Sequence, residues 1–243
     1  MTAAGRLYGV VVGPGDPELL TLKAARVLEA APVVAYFAKR GNASNARAVV
    51  AARLHPAQTE LPLLYPVTTE IPRRAPEYSS QIAAFFDASA AAVAARLDAG
   101  QDVAVLSEGD PLFYGSYMHL HVRLAGRYPT EVVPGITSPA GAWCAAGVPI
   151  AQGDDLLSVL PGTLPEDELA RRLSDADAAV IMKVGRNLPR IRRALAAAGL
   201  LDRALYVERA TMEGARSVPL AERGDEPAPY FSLVLVPGWS GRP

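Results

Sequence analysis

The sequence predicts a protein of two α/β domains. Through the first 138 residues, short apolar runs alternate with longer stretches of helical spacing, and several runs break abruptly into glycine–proline loops. After Ser138 the pattern changes, but strand-like and helix-like segments continue. We therefore expect an N-terminal α/β domain over 1–138 with a mainly parallel sheet, and a C-terminal α/β domain over 139–243.

Each element has its reason. Leu7 to Val12 is an apolar run that stops at Gly13-Pro14-Gly15-Asp16-Pro17. From Glu18 to Ala31, Leu19, Leu20, Leu22, Val27 and Leu28 recur at helical spacing, with Pro17 near the start. Pro32 to Phe37 reads as a second strand, followed by a polar segment and a helix to about His55, and Glu60 to Leu64 as a third strand. Between Tyr65 and Glu77 the prolines, threonines and the pair Arg73-Arg74 read as a loop or lid. The alanine-rich stretch from Tyr78 to Ala99 is helical, with Gly100 as its C-terminal cap.

Val103 opens the strand around which the rest is arranged, because it runs into Glu108-Gly109-Asp110-Pro111. Gly109 can adopt backbone angles closed to other residues, and Pro111 pushes Asp110 towards extended geometry. The expected result is a rigid loop holding one carboxylate at the carboxyl end of a strand, where open α/β sheets bind ligands. A helix from Gly115 to Ala125 and a strand from Glu131 to Val133 follow, ending in Pro134-Gly135-Ile136-Thr137-Ser138. In the second domain, strands are expected at 156–160, 178–183, 204–207 and 230–236, with helices at 166–173 and 188–198.

Composition narrows the function. Lys plus Arg (24) nearly balances Asp plus Glu (25), which argues against nucleic-acid binding driven by overall charge. One cysteine, Cys144, excludes an intramolecular disulfide and a cysteine-rich zinc site, and Cys144 itself reads as core. No apolar run is long enough to cross a bilayer, and the N-terminus lacks a secretory layout, so a soluble cytoplasmic protein is expected. The first loop lacks both the Gly-x-Gly-x-x-Gly spacing and a Walker lysine, which argues against dinucleotide and triphosphate chemistry. His119 and His121 fall on different helix faces, and Asp154-Asp155 reads as a turn, so no metal site is expected.

Three segments together resemble one family. Gly13-Pro14-Gly15-Asp16-Pro17-Glu18-Leu19-Leu20-Thr21, Gly109-Asp110-Pro111-Leu112-Phe113-Tyr114-Gly115 and Pro134-Gly135-Ile136-Thr137-Ser138 are similar, in order and spacing, to the signatures of the tetrapyrrole methylases. These are S-adenosylmethionine-dependent enzymes of cobalamin and sirohaem synthesis. Val33-Val34-Ala35-Tyr36 and the segment from Gly153 to Thr163 look most like the members that act on precorrin-2. The resemblance implies methyl transfer to the carbon-20 meso position of precorrin-2, giving precorrin-3A. It also implies two α/β domains with the cofactor in the cleft between them, release of S-adenosylhomocysteine, and a homodimer. Cobalt-precorrin-2, another ring carbon, a macromolecular substrate or a non-catalytic small-ligand-binding module stay open as alternatives.

Carried over residue by residue, the resemblance implies cofactor contacts at Pro14, Gly109, Asp110, Phe113, Thr137, Ser138, Met182, Ala210 and Thr211, with Asp110 facing the α-ammonium. The family often has glycine two residues before the Gly13 match, where this chain has Val11. The acid–base aspartate of its uroporphyrinogen methyltransferases is replaced by Phe37. A carboxylate-rich substrate calls for cations, and Arg40, Arg47, Arg73, Arg74 and Arg209 are placed to supply them. Arg190, Arg192 and Arg193 read as a solvated helix edge. A base is needed only to remove a proton after transfer. Tyr36, Lys39, Glu108 and Tyr114 are its candidates, and no choice among them follows from sequence.

Overall fold

A computed structural model describes residues 3–66 and 76–238. The chain divides into two compact units, 1–137 and 138–243.

The first unit contains β1 (Leu7–Val11), α1 (Leu22–Ala30), β2 (Val33–Lys39), α2 (Asn45–Val49), β3 (Thr59–Tyr65), α3 (Pro76–Asp98), β4 (Val103–Ser107), α4 (Tyr117–Leu124) and β5 (Thr130–Val133). Its five strands are all parallel, in the order β3-β2-β4-β1-β5. β1 lies inside the sheet, with Leu7 opposite Val103 on one side and Thr130 on the other. Successive residues face opposite sides, as the period of two requires. Leu7, Val33, Val103 and Val105 pack with Phe86, Val93, Leu97, Tyr117 and Leu120 from α3 and α4. Val10, Val34, Ala104 and Leu106 pack with Ala24, Leu28, Ala46 and Val50 on the opposite face. Both faces are therefore covered, which accounts for β4 being buried throughout.

The second unit contains α5 (Ser138–Ala146), β6 (Leu157–Pro161), α6 (Glu166–Ser174), β7 (Ala178–Met182), α7 (Leu188–Ala197), β8 (Leu205–Glu208), β9 (Arg216–Pro219) and β10 (Ser232–Val236). The strand order is β6-β7-β10-β8-β9, and only the β6–β7 pair is parallel. Leu169, Leu173, Leu188, Ile191 and Leu195 cover one face from α6 and α7 and are wholly buried. Each such side chain contributes about 1.5–3 kcal/mol. Ala142 and Trp143 of α5 cover Val180, Val207, Leu233 and Leu235 on the other face.

Several expectations are corrected. The first helix begins at Leu22 rather than Glu18, because Thr21 caps it by accepting the Ala24 N–H at 3.1 Å. Pro17–Leu19 forms a separate 3-10 turn. The helix expected to reach His55 stops at Val49 and gives way to a 3-10 turn over Ala51–Arg53. The alanine-rich helix begins at Pro76. The proposed lid, with Arg73 and Arg74, falls largely outside the described residues. Cys144 is exposed rather than core, because α5 turns Pro139, Gly141 and Ala142 inward and leaves Cys144 on the other side. The sequence reading missed α5 and β9.

Candidate functional site

The three glycine–proline loops of the first unit leave the carboxyl ends of β1, β4 and β5 and are tied to one another. The Gly109 N–H donates to the Gly13 carbonyl at 2.9 Å, forming an isolated antiparallel bridge between the first two loops. Both glycines have positive φ, 76° and 63°, which a side chain would strain. The Asp110 carboxylate then joins the second loop to the third. One oxygen accepts the Leu112 N–H at 2.9 Å, and the other accepts the Gly135 N–H at 3.2 Å. Gly115 sits where a Cβ would lie 2.8 Å from Ser107 Oγ and 2.9 Å from the Pro111 carbonyl, so the loop closes only on glycine.

Val11 and Gly135 explain each other. A Cβ on Gly135 would meet the Val11 Cγ2 at 2.3 Å, and Val11 is fully buried. The bulk of Val11, the departure noted above, is taken up by the bare backbone of the third loop. Pro14 is buried, Phe113 and Thr137 are partly buried, and Tyr114 is exposed. Phe113 meets Tyr114 edge-on with ring centroids 4.9 Å apart. The Tyr65 hydroxyl of β3 shares a hydrogen bond with Ser116, holding the far side of the second loop.

The base candidates separate. Tyr36 is engaged with Glu60, and burial together with that carboxylate raises its pKa, so it is poorly placed to accept a proton. Lys39 ends β2 and is exposed. Glu108 leaves β4 directly before Gly109. Burial pushes its carboxyl up, against hydrogen bonds from the Asn45 side chain and the Ala46 backbone. The Phe37 ring joins an aromatic group with Tyr65, Phe85 and Phe86, at centroid distances of 5.7, 6.2 and 6.1 Å. Phe37 is partly buried in this group, an apolar ring with no acid–base capacity.

The cations also separate. Arg47 is committed to the fold: Nε and Nη2 donate to Glu60 at 2.9 and 2.8 Å, a bidentate pair that corrects its expected role towards substrate. The pair pulls the Glu60 carboxyl down to about 2. Arg40 is exposed in the turn after β2. Arg190 donates to Asn187 and the Gly162 carbonyl, Arg192 to the Leu220 and Arg223 carbonyls, and Arg193 to Glu166, so this edge is knit into its own unit.

In the second unit the named residues cluster after β7 and β8. Met182 and Ala210 both pack against the Val180–Val207–Leu233 group. A cavity of about 60 Å³ borders Ala210 together with Ala145, Val207 and Ala215. The Thr211 Oγ1, next along the chain from Ala210, is buried without a hydrogen-bond partner. An unmade buried hydrogen bond costs about 1–3 kcal/mol, so a ligand supplying one has a ready attachment. Ser138 opens α5, and Asp155 accepts the Gln152 N–H at 3.0 Å in a turn.

Backbone strain marks the same loops. Non-glycine residues with positive φ among the described residues are Tyr114, Lys183, Arg209 and Thr211, and all lie just beyond β4, β7 or β8. Such conformations cost roughly 1–3 kcal/mol and gather where a ligand is held. Lys183 escaped the sequence reading because the usual signal for positive φ is glycine, and none stands there.

His119 stacks on Phe86 with centroids 3.9 Å apart, while His121 Nδ1 lies 3.3 Å from the Tyr117 hydroxyl. Among the described residues, no three His, Cys, Asp or Glu side chains gather to hold a metal ion. Among the described residues no helix is long and apolar enough to cross a membrane. The larger cavity, about 250 Å³, is lined by Tyr8, Lys23, Arg26, Asp102 and Glu131. It opens at the amino edge of the parallel sheet. The ligand-binding edge of such a sheet is the carboxyl one, so we place the site at the three tied loops.

Comparison with known proteins shows the family. The family model described as Tetrapyrrole (Corrin/Porphyrin) Methylases matches residues 6–223. A Sinorhizobium protein named precorrin-2 C(20)-methyltransferase is 66% identical over 239 residues, covering 98% of each chain. A cobalt-precorrin-2 C(20)-methyltransferase from Salmonella typhimurium is 34% identical over 236 residues, covering 96% of each chain. Among solved structures, uroporphyrin-III C-methyl transferase from Thermus thermophilus complexed with S-adenyl homocysteine matches with a TM-score of 0.66 and 26% identity, across 96% of this chain and 92% of that one.

Proposed function

The chain belongs to the tetrapyrrole methylase family, and we propose that it transfers a methyl group from S-adenosylmethionine to the carbon-20 meso position of precorrin-2, giving precorrin-3A in cobalamin synthesis. The observation that carries this is the 66% identity to the Sinorhizobium enzyme over 98% of both chains. Metal-free precorrin-2 is preferred over the cobalt form because the likeness to the cobalt-precorrin-2 enzyme is weaker, at 34%.

The residues present fit the cofactor. The three loops are tied together through Gly13, Gly109 and Gly135, and Pro14, Asp110, Phe113 and Thr137 on them would hold the methionine portion. In the second unit, Ser138, Met182, Ala210 and Thr211 would serve, with the Thr211 hydroxyl free to bond. When bound, S-adenosylmethionine supplies a methyl carbon on a sulfonium leaving group. The protein's part is to hold donor and acceptor carbons about 3 Å apart and in line, which supplies on the order of 7–11 kcal/mol. Transfer to the ring carbon would leave the S–CH₃ electron pair on sulfur, and the carbon that gains the methyl would then have to give up its proton to a group of this chain. Glu108 is the candidate acceptor that is a carboxylate; Tyr36 keeps its own proton. Arg40, Arg73 and Arg74 are proposed to meet substrate carboxylates. A cytoplasmic homodimer goes with this reading and is supported by the family resemblance.

The test is anaerobic incubation with methyl-labelled S-adenosylmethionine and precorrin-2, followed by mass spectrometry and carbon NMR. One labelled methyl at carbon-20 is expected. Label at another ring carbon, or none, overturns the proposal.

A further inference from the structure

We infer that Asp110 is a positioning residue, a clip that fixes the second and third loops in register, rather than the partner of the cofactor's α-ammonium. This rests on the cofactor-binding reading of the site and changes the role of one residue within it. Both carboxylate oxygens already accept backbone N–H groups, Leu112 at 2.9 Å and Gly135 at 3.2 Å. The Leu112 bond alone would be an ordinary Asx turn, bridging two residues along the chain. The Gly135 bond spans 25 residues and joins loops from different strands, which no local turn requires. The Gly109 N–H to the Gly13 carbonyl, at 2.9 Å, continues the connection to the first loop. Asp110 is thus the side-chain member of a chain of contacts running through all three loops, with each of its two oxygens engaged by a backbone N–H. Hydrogen bonds to an ionised acceptor are the stronger kind, which suits a clip.

The experiment compares Asp110→Asn and Asp110→Glu with wild type. Affinity for S-adenosylhomocysteine and for its analogue lacking the α-amino group is measured by calorimetry, at a temperature where every variant is folded. Asn can accept through one oxygen only, and Glu keeps the charge but misplaces it. The clip predicts that both variants weaken both ligands by the same factor, about tenfold. It also predicts that the Gly135 amide, protected from hydrogen exchange in ligand-free wild type, loses protection in both variants. A role confined to global stability would leave affinity of the folded protein unchanged. Ammonium pairing would weaken S-adenosylhomocysteine alone, spare the deaminated analogue, and be partly rescued by Glu. That pattern overturns the inference, as does an unprotected Gly135 amide in wild type. Should the wild-type protein bind neither ligand, the proposed function fails, while the amide measurement still decides the clip.

Discussion

Replacing Gly135 by alanine tests the tied loops most directly. The new Cβ would lie 2.3 and 2.6 Å from the two Val11 methyl carbons and 2.8 Å from the Val11 Cβ. Apolar carbons rest at about 3.5–4.0 Å, so each contact is short by roughly 0.7–1.7 Å. Val11 has no free direction of retreat, being wholly buried and paired with Ser107 across the sheet. Overpacking usually costs about 1–3 kcal/mol, and with three atoms overlapped we expect the upper end, about 3 kcal/mol. That corresponds to a melting temperature lower by about 6–12 °C for a chain of this size. Because the same shift moves the Gly135 N–H off Asp110, affinity for S-adenosylhomocysteine should fall about tenfold. Val11→Ala removes both methyls and alone costs about 2 kcal/mol. In the double variant the alanine occupies the vacated space, so the loss should be near 3 rather than the additive 5 kcal/mol, a coupling of about 2. Urea unfolding followed by calorimetric titration measures both quantities. The reasoning is refuted if Gly135→Ala melts within about 1 °C of wild type, or if the two changes add within about 0.5 kcal/mol.

Two further outcomes follow from individual contacts. The Glu60 carboxyl, ordinarily at 4.5, is held down to about 2 in the folded protein by Arg47, so its stabilisation is complete above 4.5 and disappears as pH falls towards 2. Both side chains are over a third exposed, which discounts the pair to about 1 kcal/mol, and Glu60→Gln should lose that amount at pH 7 and only a small part of it at pH 2, where the folded carboxyl is half protonated, read by urea unfolding at each pH. Thr211→Val keeps the branched shape but removes the orphaned hydroxyl, so the ligand-free protein should become about 1 kcal/mol more stable while its affinity for S-adenosylhomocysteine falls several-fold. Unchanged affinity would remove Thr211 from the site.

The sequence exposed the loops better than the side-chain network behind them. Gly13, Gly109 and Gly135 stand out because apolar runs stop at them, and such breaks are local signals. Helix α5 was hidden because Ser-Pro-Ala-Gly-Ala-Trp-Cys-Ala-Ala carries an internal glycine and no amphipathic rhythm. Strand β9 was hidden because four residues ending in proline at a sheet edge carry almost no pattern. Arg47 looked like a free cation because Glu60 is thirteen positions away, and only the packing of α2 against the sheet that carries β3 brings them together. The Asp110–Gly135 bond was equally invisible, since it depends on β1 separating the strands that carry the two loops.

That same place of β1 inside the sheet has a consequence for biosynthesis. Its neighbours β4 and β5 begin at Val103 and Thr130, so neither exists when the ribosome has made only the first hundred residues. At about 5–20 residues per second, the interval between completing Val11 and completing Val133 is about 6–24 s. Until β4 is complete at Ser107 the strand has neither neighbour, and until Val133 it has one at most, so a strand destined for full enclosure waits with an open edge. Nascent chains arrested before Val103 should therefore be cut by protease within Leu7–Val11, and those extended well past Val133 should resist.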